Sequence, residues 1–457
     1  MKIFNIKYIE LLVVTLIFGN FILNIVNQNF KIPHYDLRNI FFSIFIFILL
    51  YFVGSSINEF LELNSISFSI ILYLISFFSF QFLFLFFQNE IFDFNLAFIT
   101  VNSLWFLSIL FSKNLYAILN FIYAVFTYIG IILIKDFFGN ELLKNIAKNG
   151  DVEYFWFPMT KMIYENNLNY ALLNNIEPGY GLLINNTFAV LTKLSINNLN
   201  FDFSPSIVNV FIFLFLLFVM EQNFSNSTKI VLFILFISIV LNSVWLSYLF
   251  TNSLMGESVI NLFFPIIMVT LTKNNFRSRK TKYFVYFIVG FLYLSKPFVS
   301  ILVLIYVIFL SFKDKDIISS LFGFSGFVLN FINYNFIIDI QTSNNYFSIG
   351  EFYYLGNLET IKFKNITKIL ENIIVLDRVM TIFIALLFIY LVFAKYTSKS
   401  ILNKEFLFLI ILNIVLVFLL YITIWQDREL DSAYRYIFSF FNLYLIYFGI
   451  VRNKLNT

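Results

Sequence analysis

The sequence predicts an all-α protein: a polytopic transmembrane bundle of roughly 13–14 helical spans, with juxtamembrane helices in its first large outer loop. Three observations carry this. The chain is 60% hydrophobic and 12% charged over 457 residues, with a mean hydropathy of +0.86. Soluble domains are about 45–50% apolar and about 25% charged, so lipid is the fitting solvent. The apolar residues fall in runs of about 17–25, long enough for a helix to cross the hydrocarbon layer. No strand-like alternation argues for a barrel, and helices satisfy their own backbone groups in lipid.

The runs lie near 8–26, 39–54, 66–88, 95–111 and 115–134, then near 205–220, 230–250, 256–272, 283–295, 297–312, 316–340, 376–394, 405–425 and 434–451. Short basic loops set their orientation. The strongest is "KNNFRSRKTK", 273–282; Lys2 and Lys7, Lys395, Lys399 and Lys404, and Arg452 and Lys454 support it. Alternating crossings put all of these on one side, the cytoplasmic one. The other side receives 27–38, 135–204, 251–258, a turn near 296, 341–375 and 426–433. Within 135–204, the stretch 179–194 is moderately apolar. A crossing there would invert every later loop, so it reads as a helix on the membrane surface, with an ordinary short span as the alternative.

This organisation gives three segments: an accessory bundle at 1–134, an outer loop with juxtamembrane helices at 135–204, and the remaining membrane core at 205–457. The first has almost no polar material in its outer loops. No Pro/Gly/Ser linker or strong repeat interrupts the chain.

Composition excludes several chemistries. There is no cysteine, so no disulfide, thiolate metal site or cysteine nucleophile. The single histidine, His34, leaves no basis for a histidine triad or a His-rich metal site. No P-loop, dinucleotide fingerprint or zinc pattern occurs. The net charge of +4 comes from loop lysines and arginines and does not indicate nucleic acid. Abundant Asn, Ile, Lys and Phe match an AT-rich genome, so isolated Asn and Lys carry little weight.

Charged groups at the edges of spans usually face a cavity or a partner. In "GDVEYFWFPMTK", 150–161, Asp151 and Glu153 precede interface-loving aromatics beginning at Tyr154. Asp151 fits a helix N-cap. It also fits a carboxylate that takes a proton from an acceptor hydroxyl, or holds a divalent cation that helps a phosphate leave. The two roles are compatible. In "EPGYGLLINN", 177–186, Glu177 and Tyr180 could line a polar sugar pocket or belong to a loop before a surface anchor. Glu257 stands at the outer end of a span, where a hydrated interfacial carboxylate is the plain reading. Lys296 divides a long apolar run before Pro297, as a snorkelling lysine or a cation for a phosphate. In "WQDRELDSAYRYIF", 425–438, Arg435 sits between Tyr434 and Tyr436 at the mouth of the last span. It can pair with nearby acids or fork onto a phosphate.

Taken together, these stretches resemble the GT-C superfamily of integral-membrane glycosyltransferases over roughly 115–451. "GDVEYFWFPMTKMIYENNLNY" is similar to the family's first outer loop, with Asp151 in the position of its essential carboxylate. "EPGYGLLINNTFAVLTKL" resembles the next surface helix, although Gly179 and Gly181 flank Tyr180 in place of the usual prolines. "SLMGESVINLFF" is similar to a segment with an acid after a small residue at a span start, and points at Glu257. "YLSKPFVSIL" resembles a Thr-Lys helix start, and points at Lys296. "SAYRYIF" resembles a late Arg-Tyr before the last span, and points at Arg435 and Tyr436. About five spans precede the carboxylate loop, more than in many members.

The resemblance implies a polyprenyl-phosphate-linked sugar donor and an envelope glycan, lipid or protein acceptor. It implies a bacterial inner membrane and a site on its periplasmic face. Asp151 is the expected catalytic residue. Glu153, Tyr154, Tyr180, Glu257, Lys296, Arg435 and Tyr436 are the expected substrate-binding residues. No set of metal ligands is identified and no cofactor follows from the resemblance; a divalent cation is compatible with this chemistry. An O-antigen-type polymerase or ligase, and a lipid-linked-glycan transporter or flippase, are the alternatives. A membrane protein without catalysis is the third.

Overall fold

The computed structural model describes residues 6–26, 37–86, 94–138, 156–165, 182–194, 206–242, 256–273, 278–295, 297–332, 364–376, 378–397, 403–423 and 440–456, together with Phe276 and Ile437. Among them the chain is all-helical, without strands. In chain order the helices are α1 (Ile6–Val26), α2 (Leu37–Phe60), α3 (Ile66–Phe86), α4 (Phe94–Phe111), α5 (Leu115–Phe138), α6 (Phe157–Glu165), α7 (Leu183–Leu194), α8 (Ser206–Glu221), α9 (Asn226–Asn242), α10 (Gly256–Lys273), α11 (Arg279–Val289), α12 (Pro297–Asp314), α13 (Ile317–Ile332), α14 (Lys364–Leu376), α15 (Arg378–Thr397), α16 (Lys404–Thr423) and α17 (Phe441–Asn456). A 3-10 turn, Gly290–Leu294, continues α11.

Among the described residues, each apolar run identified in the sequence overlaps a helix. Four helices among the described residues are long and apolar enough to cross a membrane: Ser43–Phe60, Phe94–Phe111, Leu115–Leu133 and Val379–Tyr396. Others are shorter, among them Tyr8–Gly19, Ile66–Gln81 and Ile317–Ile332. The run 283–295 is not one α-helix; it changes to a 3-10 turn at Gly290. A Cβ on Gly290 would lie 2.4 Å from the Gly326 carbonyl carbon, and one on Gly326 would lie 2.2 Å from the Phe287 oxygen. Backbones this close need glycine on both sides, which is how helices gain dispersion contact where lipid gives no hydrophobic drive.

The chain divides into two compact units that interleave along the sequence. One comprises Met1–Pro33, Leu216–Asn252 and Tyr354–Thr457, the other His34–Phe215 and Ser253–Tyr353. Each unit draws on several of the linear segments read from the sequence.

In the first unit, α9 packs on α1 and α17, α15 packs on α1 and α17, and α14 joins α15 to α16. Phe383 meets Phe441 and Phe448 edge-on, and Tyr390 meets Phe448 the same way. At one end, the Ser225 amide donates to Asn453 Oδ1 at 2.7 Å, which ties the α8–α9 turn to the last turn of α17. Elsewhere in the unit, Asn365 at the start of α14 donates to the Tyr421 carbonyl near the end of α16.

In the second unit, α2 packs against α3 and α5, and α13 against α11, α12 and the 3-10 turn. Ser56 donates to the Ala117 carbonyl at 2.6 Å, and Asn120 to Ser55 Oγ at 2.9 Å, so small polar groups join α2 to α5. Several turns meet at one end. Asn114 donates to the Glu59 carbonyl, and Thr281 to the Leu61 carbonyl. Lys282 reaches Asp316 at 2.8 Å.

Candidate functional site

Asp151, Glu153, Tyr154, Tyr180, Lys296, Arg435 and Tyr436 lie outside the described residues. Glu257 is placed by its backbone alone, in the first turn of α10. The helices that follow or flank most of these positions are described, and in the second unit they come together. α6 begins three residues after Tyr154, and α7 begins three residues after Tyr180. Lys296 stands between the 3-10 turn and α12. α7 packs against α6, α3, α10 and the 3-10 turn, and α12 packs against α10 and the same turn.

The centre of this arrangement is α7. The sequence suggested a helix lying on the membrane surface, which would bury one face. Instead, every residue of Leu183–Leu194 except Lys193 is buried. Neighbouring helices enclose it, and a helix covered on all sides belongs to an interior. Four of its polar groups stay inside the unit, spread around the helix: Asn185, Asn186, Thr187 and Thr192.

These groups are only partly satisfied. Thr187 and Thr192 donate back to the carbonyls of Leu183 and Phe188, a local bond common for buried hydroxyls in helices. Asn185 Nδ2 donates to the Trp156 carbonyl at 3.0 Å and lies 3.5 Å from Thr160 Oγ1, which joins α7 to the start of α6. Thr160 Oγ1 donates to the same Trp156 carbonyl at 2.7 Å. The Oδ1 atom of Asn185 and both side-chain polar atoms of Asn186 are buried without a hydrogen-bond partner.

One cation stands at the end of α7. Lys193 donates to Asn95 Oδ1 at 2.5 Å and lies 5.5 Å from the centroid of the Tyr164 ring. Burial first, with smaller contributions from Tyr128 and Glu165, raises the Tyr164 phenol above its ordinary value. The neutral Tyr164 ring offers Lys193 its face.

Two ionic clusters escaped the sequence reading. In the first unit, Glu10 on α1 meets Arg452 on α17; Tyr390 on α15 also donates to Glu10. Arg452 Nη1 reaches Thr228 Oγ1 at 2.7 Å and Ser227 Oγ at 3.3 Å. Glu10 is the one acid of α1, and a lone carboxylate in an apolar run was the available signal. Arg452 had been assigned to orientation alone. In the second unit, Lys282 bridges Asp316 at 2.8 Å and Asp314 at 3.8 Å, and lies 5.6 Å from the centre of the Tyr286 ring. Burial acts to raise the Asp316 carboxyl. Hydrogen bonds from Lys282 and Ser319, with the lysine's charge, outweigh it and hold the group below the usual carboxylate range. Both clusters are held by several partners, which suits a structural role. Among the described residues, no group of three or more His, Cys, Asp or Glu could hold a metal ion.

Comparison with protein-family models, with curated proteins and with solved structures finds no match to this chain.

Proposed function

We propose that this chain is a multi-pass membrane glycosyltransferase of the GT-C kind. It transfers a sugar from a polyprenyl-phosphate-linked donor to an envelope glycan, lipid or protein acceptor. The roughly fourteen crossings, the bacterial inner membrane and a site on its periplasmic face belong to the same proposal. One observation carries it most directly. The helices adjoining Asp151–Tyr154, Tyr180 and Lys296, and the helix whose first turn holds Glu257, pack together around the polar helix α7. The reading also draws support from the absence of a soluble nucleotide-binding motif, which favours a donor reached from lipid.

In the proposed reaction, the acceptor hydroxyl oxygen attacks the anomeric carbon, and the bond from that carbon to the phosphate oxygen breaks. The electron pair leaves with polyprenyl phosphate, and the configuration inverts. Asp151 takes the acceptor proton. Lys296 meets the charge that grows on the departing phosphate, where a compact cation acts most strongly in the transition state. Glu153 and Glu257 accept hydrogen bonds from sugar or acceptor hydroxyls, and Tyr154 and Tyr180 stack on a sugar face.

The test uses the full chain in proteoliposomes with radiolabelled polyprenyl-phosphate-linked sugars and an envelope extract as acceptor. Transfer by the wild type and its loss in Asp151→Asn, with unchanged thermal unfolding, is the expected outcome. Turnover retained by Asp151→Asn removes that residue from the mechanism. Labelled lipid that crosses the bilayer without a new glycosidic bond replaces the enzyme with a transporter.

A further inference from the structure

We infer that Asn185 and Asn186, at the start of α7, bind the hydroxyl groups of a neutral sugar. This rests on the glycosyltransferase reading and names the residues that recognise the sugar. Both asparagines are fully buried. Asn186 has a carbonyl oxygen and an amide nitrogen without a partner, and Asn185 has an unmet oxygen beside its bond to the Trp156 carbonyl. Exchanging the two ends of the Asn186 amide leaves it equally unmet, so this state does not depend on how that group is turned. Buried polar groups are nearly always paired, and an unmet one is costly enough to require a reason.

The chemistry of the unmet atoms selects the ligand. Two oxygens accept and one NH2 group donates. A sugar hydroxyl both donates and accepts, so it can meet either kind of unmet atom; the two asparagines, consecutive on the helix, leave it about 100° apart and each takes its own hydroxyl. A phosphate offers only acceptors and leaves the oxygens facing negative charge. A cation leaves the NH2 group unmet and repelled. The position agrees with this choice. α7 packs against α6 and α10, the helices next to the acids at 151 and 153 and bearing the one at 257, and against the 3-10 turn before Lys296. In the structure the amides are sealed, so occupancy requires the α6–α7 interface, held by the Asn185–Trp156 bond, to part.

Binding is measured on the full chain in nanodiscs, with synthetic polyprenyl-phosphate-linked hexoses and pentoses set against bare polyprenyl phosphate. The wild type should bind at least one sugar-bearing lipid roughly tenfold more tightly than the bare lipid, as expected for one or two well-made hydrogen bonds. Asn186→Leu should lose that difference and bind the bare lipid as before. Its melting temperature should equal or exceed that of the wild type, because it removes an unmet polar group. Asn185→Ser, which keeps a small polar group, should lose part of the difference. The inference is overturned if the wild type shows no sugar-dependent gain, or if Asn186→Leu keeps it. Sugar-dependent binding without any transfer in the proteoliposome assay would overturn the enzyme reading and leave this site standing.

Discussion

Arg452 grips both carboxylate oxygens of Glu10, with Nε 2.8 Å from Oε2 and Nη2 2.7 Å from Oε1, across 442 positions of chain. Both side chains are only 8% exposed. The pair joins the first helix to the last, and Thr228 and Tyr390 complete it. A buried, bidentate pair is specific in geometry, and leaving half of it alone is severe.

Glu10→Leu or Arg452→Met should each destabilise the protein by about 3–5 kcal/mol, because one buried charge is left uncompensated. The double variant Glu10→Leu/Arg452→Met should recover much of that loss. Thermal unfolding of the four proteins in detergent forms the double-mutant cycle. Additive losses would show that the two groups act independently.

Asp316 predicts an acid-sensitive contribution to stability. Its carboxyl sits below the ordinary carboxylate value in the folded protein. The stabilisation is therefore complete above the unfolded value of about 3.9 and is lost as pH falls through the lower folded value. Asp316→Asn should melt at a lower temperature than the wild type at pH 6, and the gap should narrow below pH 4. A gap constant over that interval would remove the Lys282–Asp316 pair as its cause.

Glycine substitutions should separate tight packing from open helix surface. Gly326→Ala drives a methyl group to 2.2 Å from the Phe287 oxygen and should cost about 1–3 kcal/mol or more. Gly130, on α5, has no neighbour within 4 Å of an added Cβ. There alanine should be neutral or stabilise by up to about 1 kcal/mol through helix propensity. Melting temperatures of the two variants check the contrast.

Glu62 occupies the turn after α2 with φ 52°, in the left-handed region. Glycine adopts that region without the Cβ clash. Glu62→Gly should raise stability by about 1 kcal/mol, read as a higher melting temperature in detergent. A fall would show that the glutamate side chain contributes more than its backbone strain removes.

The helices were largely legible in the sequence. The runs at 95–111 and 115–134 became Phe94–Phe111 and Leu115–Phe138, with changes of only a few residues. An uninterrupted apolar run settles the matter locally, since a helix meets its own hydrogen bonds. The run 283–295 was less legible, because its change to a 3-10 turn coincides with the approach of Gly326, a residue from another helix. The candidate carboxylates were legible as charges beside apolar spans; Asp151 and Glu153 lie outside the described residues, and Glu257 is placed by its backbone alone. Arg452 and Lys282 looked like loop cations that orient the chain, yet each is engaged by acids far away in sequence.

By itself the sequence determined that the described segments are helical and mostly apolar, because backbone satisfaction and hydrophobicity are properties of short stretches. The three-dimensional packing decided that α7 is enclosed, that Asn185 and Asn186 are sealed from solvent, and that Glu10 meets Arg452. Those outcomes depend on which helix surfaces touch. Side chains hundreds of residues apart become neighbours only when close-packed helices bring them together, and no local pattern encodes that choice.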